Sequence, residues 1–285
     1  MRAIIIASWI VLSAGVGAAI TAGPAKADVL QLIVETGEIR LGVRADAPPF
    51  SYLDPERGYR GLAVDICVEV AARMALTLET TIKPVFVEQS AKSRFPALIQ
   101  GETDLHCGPA TATLARRDMV DFSILYFVDG VSLAGLPGAY TALFERGGGR
   151  IGVLEGTTAV AIIEDLVQRN DLAAEIIPYP SHASGLEALD REEVQLYAGD
   201  QAILLFMLSA TFPEAPYFVQ DEVLSFEPYA LVMRRGASDL RLAVDRALSA
   251  IITDGVIYTL IRRSFGDFPL PPEALAAYEI VALPE

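Results

Sequence analysis

The sequence predicts an α/β protein of two lobes facing each other across a ligand, and two observations predict it. Period-2 apolar stretches alternate with helical periodicity along most of the chain, which implies a mainly parallel sheet flanked by helices. One device also occurs twice, at 104–123 and at 151–166: a strand end, then small and hydroxyl residues, then a helix start. In open α/β sheets ligands bind at the carboxyl ends of the strands, so two such loops imply a cleft served from both halves.

The N-terminus sets the compartment. Arg2 precedes an apolar run from Ala3 to Ile20, Gly23 and Pro24 break any helix, and Ala25-Lys-Ala27 is a small-x-small cleavage site. Residues 1–27 therefore read as a secretory signal peptide cleaved after Ala27, placing the mature chain in the periplasm. No Cys follows the apolar run to carry a lipid, and no later stretch is apolar enough to span a bilayer, so no membrane insertion is expected after cleavage. With 37 acidic against 22 basic residues the formal net charge is −15, which argues against nucleic acid or an anionic membrane surface as partner. It does not exclude a small anionic ligand, because distant surface charges are screened beyond about 8–10 Å. Two cysteines, Cys67 and Cys107, form an even pair in an oxidising compartment and read as a disulfide. The two histidines, His106 and His182, form no cluster of metal-ligand spacing, so neither metal nor cofactor is expected.

Taken in order, Ile39, Leu41 and Val43 alternate with Arg40, Gly42 and Arg44 as a half-buried strand with Arg44 at its carboxyl end. Residues 46–52 read as loop because paired prolines cannot continue a ladder, and 58–61 as a turn. Cys67, Val70, Ala71 and Met74 then share one helical face. A strand over 81–87 leads to Ser90–Arg94 and a short helix over 95–100, and 104–107 is the next strand. It delivers Gly108-Pro-Ala-Thr-Ala112, where a ligand could approach the backbone, with Thr113 as N-cap and Arg116 one turn in. Arg116 can fork onto a carboxylate or phosphate, although a capped surface helix with a solvated Arg pair would use the same residues.

Residues 122–136 read as a strand leaving the first lobe. Gly147-Gly-Gly-Arg-Ile-Gly152 spells a dinucleotide fingerprint, but it precedes a strand whereas such a loop must follow one. The strand over 151–154 is followed by Glu155-Gly-Thr-Thr158 and a helix with Ala159, Ile162, Ile163 and Leu166 on one face. Residues 178–184 form a strand end and loop carrying His182, with a helix starting at Gly185, and 194–198 form a strand ending at Asp200. A strand over 227–233, a long helix from Ser238 stopped by Gly255, a shorter helix over 256–264 and a Pro-rich tail complete the chain.

Six motifs in this order resemble those of the amino-acid-binding periplasmic proteins of ABC importers, type II substrate-binding proteins with a two-strand hinge. They are Leu41-Gly-Val-Arg-Ala-Asp-Ala-Pro-Pro-Phe-Ser-Tyr52, Gly61-Leu-Ala-Val-Asp65, Arg94-Phe-Pro-Ala-Leu98, Thr111-Ala-Thr-Leu-Ala-Arg116 with Val120-Asp-Phe-Ser123, Val153-Leu-Glu-Gly-Thr-Thr158, and Tyr197-Ala-Gly-Asp200. The resemblance spans residues 38–266.

It implies a non-enzymatic, monomeric binder that delivers a polar, acidic L-amino acid to the membrane permease of an ABC importer. Lobe 1 would comprise residues 28–127 plus 229–285 and lobe 2 residues 131–225, with hinge strands near 127–131 and 225–229. Arg116, Thr111 and Thr157 would hold the ligand α-carboxylate and Asp200 the α-ammonium. Arg44, Arg94 and His182 fall where glutamate/aspartate binders present basic groups to the side-chain carboxylate, and Phe50 would be an apolar wall. The chain departs from the family at Ala47, where many members carry a stacking aromatic ring, at Gln195, where many carry Asp, and at Ala91, where a hydroxyl is expected. A periplasmic cyclohexadienyl dehydratase on the same fold is the alternative reading. That chemistry needs a general acid, for which the chain offers Asp200 and His182.

Overall fold

A computed structural model describes residues 28–266, 278 and 280–284, so the proposed signal peptide lies outside the described residues. Helix α1 (Val29–Thr36) begins at Asp28, whose carboxylate accepts from Leu30 N at 3.0 Å, and ends at Gly37 in the left-handed region. The alternation of Ile39, Leu41 and Val43 becomes β1 (Glu38–Val43), with all three side chains buried. The next residues depart from the expected loop and turn. β2 (Asp46–Ala47), β3 (Ser51–Asp54) and β4 (Gly58–Arg60) form a small antiparallel sheet. Pro48 and Pro49 fall in the turn between β2 and β3, where no ladder N–H is required.

Helix α2 (Leu62–Thr77) buries the Cys67, Val70, Ala71 and Met74 face. It is followed by β5 (Lys83–Glu88), α3 (Arg94–Gln100), β6 (Leu105–His106), the single turn α4 (Leu114–Arg117) and the long strand β7 (Val120–Asp129). The second half contains β8 (Val131–Gly135), α5 (Ala139–Glu145), β9 (Arg150–Leu154), α6 (Ala159–Arg169), β10 (Glu175–Tyr179), α7 (His182–Asp190), β11 (Leu196–Asp200), α8 (Gln201–Thr211) and β12 (Phe218–Val219). The chain then returns through β13 (Glu227–Arg234) and closes with α9 (Ser238–Thr253) and α10 (Val256–Phe265).

Two five-stranded sheets result, ordered β5-β1-β6-β13-β7 and β10-β9-β11-β8-β12. In each, three adjacent parallel strands are followed by one antiparallel strand and then by an edge strand that runs with the first three. They share no strand: the chain leaves the first sheet after Asp129 and re-enters it at Glu227. The largest apolar core lies in the first half, where Ile39, Leu41 and Val43 meet Leu62, Ile66 and Val70 of α2 and Leu240, Val244 and Leu248 of α9. Smaller cores centred on Ile151, Val153 and Leu196, and on Leu186, Tyr197 and Leu204, support the second sheet. Cys67 and Cys107 are bonded with Cα atoms 6.0 Å apart, tying α2 to the residue that follows β6.

This topology fixes the site. Arg44 follows β1, Ser90–Arg94 follow β5 and Gly108–Thr111 follow β6, all at the carboxyl edge of one parallel sheet. Glu155–Thr158, His182 and Asp200 occupy the corresponding edge of the other.

Candidate ligand-binding site

The basic side is a cluster of three guanidinium groups. Arg44 is 2 % and Arg94 1 % exposed, although both are long cations. Arg44 Nε donates to Asp46 Oδ1 at 2.9 Å. Its Nη2 lies 2.8 Å from the same oxygen, within ion-pair range but without a well-aligned hydrogen bond. Arg94 begins α3; its Nη1 donates to Ala91 O and its Nη2 to Gly156 O of the second half at 3.2 Å. Its Nε is buried and has no hydrogen-bond acceptor among the described residues. Arg116 Nη1 donates to Thr111 O at 2.9 Å. Phe95 carries both cations on its ring, Arg94 at 4.6 Å and Arg116 at 5.2 Å from the centroid. Burial first, then repulsion from Arg116 and Arg44, pulls Arg94 well below the usual guanidinium range. Burial also lowers Arg116, opposed by Glu227 and Asp200.

The acidic side sits where the chain crosses between sheets. Asp200 ends β11 at the N-cap position of α8 but makes no side-chain cap bond. Asp129 accepts from Ala202 N instead, at 3.3 Å, and from Gly130 N at 2.9 Å. The Asp200 carboxyl is instead hydrogen-bonded by Tyr229. Burial, first of all, raises both carboxyls above the ordinary range, and mutual repulsion adds to the shift of Asp129. Tyr229 hydrogen-bonds both, with its hydroxyl 3.5 Å from Asp129 Oδ2. Glu227 is 2 % exposed and accepts three hydroxyls: Thr111 Oγ1, Thr158 Oγ1 at 2.7 Å and Ser225 Oγ at 2.8 Å.

Several expected residues sit differently from their sequence reading. Helix α4 is one turn long, so the loop before it has no helix of useful length behind it, and Thr113 caps only Arg116 N at 3.2 Å. Thr157 donates its hydroxyl to Leu154 O at 2.7 Å within its own turn, while the neighbouring Thr158 reaches across to Glu227. Phe50, expected as an apolar wall, is fully buried and edge-on to Phe127, Tyr229 and Phe265. His182 is the first residue of α7, set by a Ser181–Ser184 capping box, rather than part of a loop. Its Nδ1 lies 3.1 Å from Tyr197 Oη, and burial, then Arg44, pushes it down to about 3. His182 is thus a neutral imidazole at physiological pH and adds no cation to the cluster.

The groups from both edges converge. Arg94 touches Gly156, Lys92 Nζ pairs with Glu155 Oε2 at 3.0 Å, and the Tyr52 and Phe206 rings approach to 6.3 Å across the two halves. A β-carbon on Gly156 would lie 3.0 Å from Lys92 Cα, which shows how closely the halves meet. Sequence reasoning missed Glu227, Asp129, Thr158 and Tyr229. The only local signal was an acidic residue opening each crossing, Asp129 before Gly130 and Glu227 before Pro228. Among the described residues no acidic, His or Cys cluster could hold a metal ion, and no helix is long and apolar enough to cross a membrane.

Two α/β halves on separate sheets, whose carboxyl edges meet through the Arg94–Gly156 and Thr158–Glu227 hydrogen bonds, define a two-lobed solute-binding protein of the type II fold. Residues 39–267 match the bacterial extracellular solute-binding proteins, family 3, and the chain belongs to that family. It is 27 % identical over 272 residues to the L-glutamate/L-aspartate-binding protein of Pseudomonas aeruginosa, covering 93 % of this chain and 89 % of that one. It is also 27 % identical over 233 residues to the ABC transporter glutamine-binding protein of Bacillus subtilis, covering 81 % and 82 %. Among solved structures, an ancestral amino acid-binding protein described as a precursor of cyclohexadienyl dehydratase superposes with a TM-score of 0.70 at 22 % identity, covering 84 % of this chain and all of that one. The first two relatives are named for the amino acids they bind, as the family description leads one to expect.

Proposed function

We propose that this protein captures an acidic L-amino acid between its lobes and delivers it to the membrane permease of an ABC importer. The observation that carries the reading is the buried arginine cluster with Arg44 Nη2 and Arg94 Nε lacking aligned acceptors. The buried Arg94 Nε has no acceptor among the described residues, Arg44 Nη2 has only a poorly aligned one in Asp46, and a third cation stands beside them, so an anionic acceptor from outside the chain would offset the cost. Arg44 and Arg94 would meet the ligand side-chain carboxylate, with neutral His182 beside them. Arg116 would fork onto the α-carboxylate together with the Thr111 and Thr157 backbone, and Asp200 would receive the α-ammonium. The Pseudomonas aeruginosa relative named for glutamate and aspartate supports this choice of ligand.

Asp46 favours a second reading. It already compensates Arg44, so a neutral amide side chain would leave a smaller imbalance, as the glutamine-binding relative suggests. The proposed lobes are residues 28–127 with 229–285, and 131–225, hinged near 127–131 and 225–229, in a protein exported by cleavage after Ala27 and working as a monomer. Calorimetry with glutamate, aspartate, glutamine and asparagine tests the reading. Glutamate or aspartate should bind more tightly than its amide. Equal affinities, or a ranking led by a basic or aliphatic amino acid, would end the acidic reading.

A further inference from the structure

We propose that Glu227 is a positioning residue that makes the cleft select a ligand bearing an α-ammonium group, by consuming the hydroxyl protons of Thr111 and Thr158. This inference rests on the amino-acid reading above. A threonine hydroxyl has one proton to donate and two lone pairs with which to accept. Thr111, from the first half, and Thr158, from the second, both direct that proton to Oε2 of Glu227. Oε1 takes the proton of Ser225, whose oxygen in turn accepts from Val131 N at 3.1 Å.

The carboxylate is buried at the crossing between the halves and is held on three sides. With their protons committed, the two threonine hydroxyls can offer a ligand only lone pairs. A carboxylate, which only accepts, gains nothing from them, whereas an ammonium with three N–H donors does. The charge of Glu227 also acts on both Asp200 and Arg116, the groups proposed to meet the two ends of the amino acid. The Thr111 hydroxyl would then face the ammonium end, and Thr111 would take its part in holding the α-carboxylate through its backbone.

The test compares L-glutamate with glutarate, which has the same two carboxylates and no ammonium, on wild-type protein, Glu227→Gln and Glu227→Met by calorimetry. Glu227→Met frees both hydroxyl protons. Glutamate should weaken by about 30-fold or more while glutarate holds or tightens, because the loss is that of hydrogen bonds to a charged group. Glu227→Gln can still accept the threonine protons but has lost the charge, so it should retain part of the discrimination, which also covers the case in which the methionine variant does not fold. Equal weakening of both ligands in the glutamine variant would mark a merely structural role and overturn the inference, as would unchanged glutamate binding in the methionine variant. Should the wild type prefer another amino acid, the acidic reading fails, but the same comparison with that amino acid and its des-amino analogue still decides the role of Glu227. A wild type that does not distinguish such a pair overturns the inference and leaves the two-lobed binder standing.

Discussion

Arg94→Met separates charge recognition from folding. The wild-type guanidinium is buried, donates to Ala91 O and Gly156 O, and leaves Nε unpaired beside two other arginines. In the ligand-free protein its removal has opposing effects: two carbonyls lose a donor, at about 1–3 kcal/mol for each one left unsatisfied, while a buried cation and its repulsion from Arg44 and Arg116 disappear. The unliganded melting temperature should therefore change little. Ligand binding should not escape so lightly. Truncating one partner of a buried, hydrogen-bonded charge pair costs about 2–5 kcal/mol, or roughly 30- to 5,000-fold in Kd. Glutamate and aspartate should lose affinity in that range, and glutamine by less than about tenfold, since a neutral amide forfeits only an ordinary hydrogen bond. Calorimetry with both ligands, together with thermal unfolding without ligand, reads these quantities. A parallel loss of glutamate and glutamine would refute the argument that Arg94 meets the side-chain carboxylate. So would a collapse of the unliganded protein with its residual binding unchanged.

Three further outcomes are expected. Replacing Cys67 and Cys107 together by Ser opens a link with a sequence separation of 40, which the chain-entropy relation places at about 4 kcal/mol, so the denaturant midpoint should fall markedly in the variant and in reduced wild type, with no fall meaning that the bond contributes nothing. Glutamate affinity should decrease as pH falls through the range of Asp200, which burial pushes up to about 6: a carboxylate raised in the free protein must lose its proton to receive the ammonium, so binding releases protons and is strongest above that value, and calorimetry in buffers of different ionisation enthalpy would expose proton uptake as the contrary result. Gly156 has φ +74° and its added β-carbon would meet Lys92 Cα at 3.0 Å and Ala91 O at 3.1 Å, so Gly156→Ala should destabilise folding by only about 1 kcal/mol but weaken binding further, and scattering profiles that compact fully on ligand addition would contradict it.

The order of elements was legible in the sequence because each is local. Alternation at Ile39, Leu41 and Val43, the helical face of Cys67, Val70 and Met74, and the stop at Gly255 depend on neighbours a few residues away. Spacing could also place Arg44, Arg94, Arg116, His182 and Asp200 at strand ends, and the parallel topology then gathers them on facing edges. What the sequence by itself could not decide was the state of those groups, since hydrogen-bond partners and solvent exposure depend on segments far apart in the chain. His182 reads as a basic group until its contact with Tyr197 and its burial make it a neutral one. Phe50 reads only as an apolar group, and which rings it packs against, Phe127, Tyr229 and Phe265, is set by distant segments. Glu227 carries no local signature of its role, because the hydroxyls it organises come from Thr111 and Thr158, 116 and 69 residues away, and only the crossing of two strands between two sheets brings them onto one carboxylate.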